Sequence, residues 1–367
     1  MRDVAVLLFF MAVSVAAFRR PFYGALLWVL FGLMNPHRMT FGFAYSLPFA
    51  QMAVIVTVLA AFAHRNEVRW PRGAPIALLL AFIVWMGLTT FVAIVPEPSM
   101  NKYIDVLKVL GMTLVVATLI RTREEIMGLV WVIVLSMGYF GTKGGLFTIS
   151  TGGGFRVWGP PNSLVEGNNE LAVALIMTIP LIYFLATNAG VARDFRPVLR
   201  LSDRVIRLGC YLGVVLCAAS ALGSQSRGAL LAIAAMVTML WWRSKAKLGV
   251  GVALLLAILV AIPMLPDTWF ERMETIQSYD EDLSAQGRIN AWETAINIAK
   301  DRVTGAGFAT ANGAVFGRYS PRRGQEWIYV AHSIYFQVLG DHGWIGLALY
   351  LSFWITTYFG AGRVARK

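Results

Sequence analysis

Ala331 to Gly346 reads AHSIYFQVLGDHGWIG. It opens on His332 and Ser333; nine residues follow, then Gly343, two more residues, and Gly346. A long polar segment ends just before it. An apolar run from Gly343 to Gly360 follows, ending in Arg363, Arg366 and Lys367. The stretch is therefore a junction between water and an apolar medium, and the extent of that medium decides the fold. An imidazole titrates near neutral pH, so a histidine here can take a proton at about pH 7 without special tuning.

The apolar medium is a bilayer. Of 367 residues, 57% are hydrophobic and only 14% are charged, with a mean hydropathy of +0.63; soluble domains carry about 25% charged residues. Apolar runs read as membrane spans, for which about 20 residues suffice, occur at residues 45–63, 75–95, 103–120, 126–139, 171–186, 208–222, 229–242, 248–265 and 343–360. Residues 4–18 and 22–34, each shorter than the roughly 20 residues of a span and separated by Arg19, Arg20 and Pro21, read as two short helices or one broken membrane element. The start, Arg2–Asp3, is nearly neutral and a second apolar run follows at once, which predicts a retained first segment rather than a cleaved signal. The expected fold is an all-α polytopic membrane protein. Its expected organisation is transmembrane helices with short loops over 1–265, a large loop over 266–330 and a last segment over 331–367.

The net charge of +12 would suit nucleic acid. Here the charges punctuate the apolar runs instead of gathering on one face, which is the positive-inside pattern and excludes that partner. The basic loops after residues 63, 120, 187, 242 and 360 face the cytoplasm on this reading. The loops at 142–169, 223–228 and 266–330 then face outward. Within the long outer segment, residues 286–300 are expected to be helical, with Ile289, Trp292, Ile296 and Ala299 as the apolar stripe.

Against the charge bias, the outer loops hold arginines. Arg227 in SQSRGAL begins a helix, where backbone N–H groups favour an anion. Arg288 in QGRINAW sits in the outer helix, and Arg318, Arg322 and Arg323 add charge to the same segment. Lys143 and Arg156 lie in the loop at 142–169. Such a cluster suits an anionic headgroup or phosphate-rich acceptor, and for Arg318, Arg322 and Arg323 a solvated surface is an equal alternative. His37 and His64 read as interfacial; His342 reads as lining the Gly343 turn; His332 is the candidate base. Asp105 and Lys108 lie three apart and read as a structural pair. Cys210 and Cys217 share one helical face about 10 Å apart along the axis, too far for a disulfide, and read as packing. Asp280, Glu281 and Asp282 read as a solvated acidic loop. No Walker motif, GxSxG elbow or zinc spacing occurs, and neither a metal nor another cofactor is expected.

The outer face of an inner membrane offers no nucleotide sugars, so a transferase there needs a donor already activated on a lipid. A polyprenyl pyrophosphate leaves as an anion and needs no protonation, and fixed arginines can stabilise the developing charge. The attacking hydroxyl needs a base, and a neutral histidine suits it. One displacement would invert the anomeric carbon. Two arginines and a histidine fit this better than glycoside hydrolysis, which uses paired carboxylates.

The pattern His332–Ser333, nine residues, Gly343, two residues, Gly346 resembles the signature of the O-antigen ligase and O-antigen polymerase superfamily. SRGA at 226–229 and GRINAW at 287–292 resemble further landmarks of that superfamily. NPHRMTFGFAY and GPPNSLVEGNNELA are similar to a subgroup of O-glycosylation ligases of exosortase systems. The resemblance implies a GT-C-like bundle of about 11–12 transmembrane helices with a large, partly helical periplasmic loop. It implies transfer of an O-antigen glycan from undecaprenyl pyrophosphate to lipid A–core oligosaccharide at the periplasmic face of a bacterial inner membrane. Arg227 and Arg288 would bind the pyrophosphate and His332 would activate the acceptor hydroxyl. The alternatives are an O-antigen polymerase, a protein O-glycosylation ligase and, from another class, a lipid-linked glycan transporter.

Overall fold

A computed structural model describes residues 1–65, 68–161, 163–195, 201–244, 246–249, 251–252, 259 and 283–366. Among them there is no strand. Most of the expected span at 248–265, the acidic run Asp280–Asp282, and Arg196 and Arg200 lie outside the described residues. The chain divides into two compact units, residues 1–68 with 116–274 and residues 69–115 with 275–367. Five described helices are long and apolar enough to cross a membrane: α4 (Ala74–Phe91), α6 (Arg123–Ser150), α7 (Asn168–Thr187), α9 (Asp203–Gly223) and α13 (Ile334–Ala365). The protein is an all-α polytopic membrane protein.

In the first unit the 4–34 stretch forms two helices, α1 (Arg2–Arg19) and α2 (Phe22–Leu33), broken where Arg20 and Pro21 interrupt the apolar run. Their ends are tied to different places. Asp3 accepts hydrogen bonds from the backbone N–H groups of Gly42 and Ala44 (3.1 and 3.0 Å). At the other end Arg20 pairs with Glu124 and Glu125 at 3.4 Å. The start of α1 therefore lies with residues 42–44, and the α1–α2 break lies with the start of α6. After α3 (Phe49–Ala63), the unit continues with α6, α7, α8 (Ala189–Ala192), α9 and α10 (Arg227–Arg243).

α6 corrects one boundary. The loop expected at 142–169 begins only after Ser150, because the glycine-rich GTKGGLFTIS remains helical. Glycine is usually unfavourable inside a helix. Here its missing side chain lets α9 approach: a Cβ at Gly141 would collide with Cys217 Sγ, one at Gly144 with Ser220 Oγ, and one at Gly145 with the Leu216 carbonyl oxygen. Small-residue contacts of this kind hold helices together in lipid, where the hydrophobic effect between helices is absent. Both cysteines are buried and free, and Cys217 lies in this seam, as the packing reading expects.

Just past the end of α2, His37 is buried between the rings of Phe31 and Phe49, with centroids 5.8 and 5.4 Å away. Burial, with Arg38 adjacent, pushes its imidazole below the ordinary histidine value. Two 3-10 turns, Pro36–Met39 and Phe43–Ser46, carry the chain across this end.

The second unit contains α4, most of α5 (Pro96–Leu119), α11 (Leu283–Asp301), α12 (Gly313–Tyr319) and α13. Residues 96–102, expected as a turn, already belong to α5. On it Lys108 and Asp105 pair at 2.9 Å, as their spacing predicts. The buried face of α11 is Ala291, Ala295, Ile298 and Ala299 with Asn290 and Thr294. The expected stripe shares only Ala299 with it. The small residues decide the face, because Gly340 of α13 packs on Ala295 (a Cβ on Gly340 would stand 3.1 Å from the Ala295 Cβ).

Candidate functional site

α13 begins at Ile334, nine residues before the expected span at Gly343, and bends at Gly343, where φ is 67° and ψ is −169°. That region of backbone space is open essentially to glycine alone. A Cβ there would also collide with the Val303 carbonyl oxygen, and one at Gly346 with the His342 Cβ. Both glycines of the His332–Gly346 pattern are thus explained by the bend. His342 lines it, as expected: its Nδ1 is hydrogen-bonded to Thr89 Oγ1 at 2.7 Å, and its carbonyl accepts from Trp85 Nε1 at 2.8 Å. The backbone N–H groups of Ala306 and Gly307 donate to the carbonyls of Gly340 and Asp341, both at 2.9 Å. The bend is therefore braced from α4 and from the 305–307 loop.

His332 stands immediately before this helix, at the N-cap residue's N-terminal side, exposed and in left-handed backbone with φ 46°. Ser333, the N-cap, makes no side-chain cap bond, which leaves the first-turn amides without that partner. The segment itself is held firmly. Trp292 Nε1 donates to the Ala331 carbonyl at 2.7 Å, and the Trp292 ring stacks on Phe336 at 4.9 Å with planes 9° apart.

The GRINAW residues of α11 perform this bracing. A Cβ on Gly287 would stand 2.6 Å from the Tyr329 ring. Asn290 is buried; its Nδ2 donates to Ser320 Oγ (2.9 Å) and to the Trp327 carbonyl (3.1 Å), and its Oδ1 accepts from Arg322 N (3.2 Å). Between them sits Arg288, half-buried, whose Nε is buried without a hydrogen-bond partner among the described residues. A guanidinium nitrogen in that state is costly unless an anion meets it. The structure thus brings the helix of Arg288 against the segment that carries His332.

The other outer arginines divide. Arg318 pairs with Asp301 at 3.4 Å and lies over the Tyr319 ring. Arg322 is hydrogen-bonded to Gln286 and lies 4.3 Å over the Trp327 ring. Arg323 is exposed. Arg227 belongs to the first unit. It is the first residue of α10, as the sequence predicts, after the N-cap Ser226, whose Oγ accepts from Ala229 N at 3.1 Å. The preceding Gln225 has φ 52° and donates from Nε2 to the Gly153 carbonyl at 2.9 Å; Val157 N donates to the Gly223 carbonyl at 2.9 Å. The loop after α6 therefore packs on the segment that leads into Arg227. Lys143, on α6, and Arg156, in that loop, line one cavity of the same unit.

Sequence reasoning missed the roles of Asn290 and Trp292 as braces. The signal was present: a polar residue and an indole N–H on a helix face that is otherwise apolar need partners when buried. It also missed Asp341, which is buried and accepts from Gln337 Nε2 at 2.8 Å. No group of three or more His, Cys, Asp or Glu side chains among the described residues could hold a metal ion.

The fold and these sites define a multi-pass, all-helical membrane protein whose motif residues stand at helix starts. The chain belongs to a family of unknown function (DUF5935), whose model matches residues 1–190. Residues 212–351 match the O-antigen ligase family model, a stretch that contains Arg227, Arg288, His332, Gly343 and Gly346. That match supports the O-antigen ligase superfamily, ligase- or polymerase-type activity and, broadly, a glycosyltransferase-like enzyme. No curated protein and no solved structure matches the chain.

Proposed function

We propose that the protein is an O-antigen ligase acting on a glycan carried by undecaprenyl pyrophosphate, with lipid A–core oligosaccharide as acceptor. The observation that carries this reading is the His332 segment: an exposed imidazole in left-handed backbone, held by Trp292 at the uncapped start of a bent helix, beside the helix of Arg288. His332 takes the proton of the acceptor hydroxyl as that oxygen attacks the anomeric carbon. The bond from that carbon to the pyrophosphate breaks, and undecaprenyl pyrophosphate leaves as the anion with its charge met by Arg227 and Arg288. Arg288 suits this role because its buried Nε has no hydrogen-bond partner among the described residues. The displacement inverts the anomeric carbon and uses no metal. Membrane lipids surround the spans, and the reacting end faces the periplasm of an inner membrane, in keeping with the basic loops on the opposite side.

The test uses purified protein with lipid-linked O-antigen and lipid A–core, without nucleotide or added metal. Wild type should form capped lipopolysaccharide. His332→Ala should fold and bind donor yet transfer nothing. A protein or lipid-linked glycan glycosylated in place of lipid A–core would move the reading to an O-glycosylation ligase or polymerase. An active His332→Ala would remove the base.

A further inference from the structure

A cavity of about 480 Å³ opens in the first unit. Four cations line it: Arg2 from the start of α1, Arg38 from the turn after α2, Lys143 from α6 and Arg156 from the loop after α6. No carboxylate lines it among the described residues. Asp3, beside Arg2, is occupied by the N–H groups of Gly42 and Ala44. None of the four cations forms an ion pair with a described residue. Arg2 instead lies 5.7 Å from the Phe41 ring centroid and Arg38 lies 4.9 Å from that of Tyr45.

Four sequence-distant cations converging on one opening repel one another, and an anion removes that repulsion. The cavity also presents the rings of Tyr139 and Trp158, flat apolar surface beside the charges. A bare inorganic anion would leave those rings unused. We propose that this cavity is a phosphate-ester site, taking the phosphate of a phosphorylated saccharide or lipid headgroup while the aromatic rings cover its carbon portion. Arg227, to which the pyrophosphate contacts are assigned, does not line it. The inference does not depend on the transfer reaction.

Calorimetric titration of the full chain in neutral detergent tests it, with glucose 1-phosphate, farnesyl phosphate and inorganic phosphate as probes. At least one ester should bind about tenfold or more tightly than inorganic phosphate, with affinity falling as NaCl is raised. Arg38→Gln/Arg156→Gln should weaken that ester by about tenfold or more, since each loses a charge-assisted contact. Lys143→Gln, an exposed helical position, is the second variant and should weaken it in the same direction without disturbing the fold. Preference for glucose 1-phosphate identifies a saccharide source, and preference for farnesyl phosphate a lipid one. If neither ester outbinds inorganic phosphate, or if the variants bind as wild type does, the proposal is overturned. Binding is read without acceptor or turnover, so a failed ligase assay leaves this result standing.

Discussion

Replacing Gly343 by alanine should be among the most damaging single-methyl changes in the second unit. At φ 67° and ψ −169°, any L side chain is strained by about 1–3 kcal/mol. The new Cβ would also collide with the Val303 carbonyl oxygen and stand 3.1 Å from Gly305 N. That loop has little room to give: Gly305 N donates to the Arg302 carbonyl at 3.0 Å, and Arg302 Nε donates to the Gly305 carbonyl at 2.8 Å. Strain and collision together should reach about 3 kcal/mol or more, a large part of the roughly 5–15 kcal/mol that holds a folded domain. The same helix supplies controls. Nothing lies within 4 Å of a Cβ built on Gly360 or Gly362, and alanine there removes glycine's backbone entropy, a gain of up to about 1 kcal/mol. Thermal melting of the purified variants should rank Gly360→Ala and Gly362→Ala at or above wild type and Gly343→Ala well below it. Gly346→Ala should also fall below wild type, because its Cβ would meet that of His342. A Gly343→Ala protein that melts with Gly360→Ala would refute the assignment of the bend to this residue.

Trp292→Phe keeps a ring to stack on Phe336 and loses the donor to the Ala331 carbonyl. Losing that bond costs about 1–2 kcal/mol. If it acts through the placement of His332, turnover falls about five- to thirtyfold with KM little changed; an unchanged turnover rate would show that Trp292 only packs. Tyr319 concerns pH. Burial and a 2.6 Å hydrogen bond to Asp301 raise its phenol above the ordinary value of about 10. A raised folded value means the stabilisation is complete below about pH 10 and is lost as pH climbs through the folded value. Tyr319→Phe should therefore lose less stability between about pH 9 and 11 than wild type does, and equal losses in melting curves would remove Tyr319 from the alkaline transition.

Much of the architecture is legible in the sequence. Apolar runs of bilayer length define spans because unpaired backbone groups cannot lie in lipid, and the helix is the local way to pair them. The start of α10, the Asp105–Lys108 pair and the packing role of the cysteines follow from spacing alone. Where expectation and structure part, the deciding partner is remote in sequence. Glycines after Gly141 read as loop because their use, admitting α9, depends on Cys217 and Ser220. That Phe31 and Phe49 enclose His37 is likewise not written in its near neighbours. For the candidate site, the residue types and their order along the chain are legible: His332, the arginines and the two glycines. Composition and local periodicity determined that this is a helical membrane protein with polar landmarks at helix starts, because such signals depend only on near neighbours. Tertiary packing alone decided that Trp292 holds the His332 segment and that Arg2, Arg38, Lys143 and Arg156 share one cavity. Each of those joins residues whose separation along the chain carries no record of their distance in space.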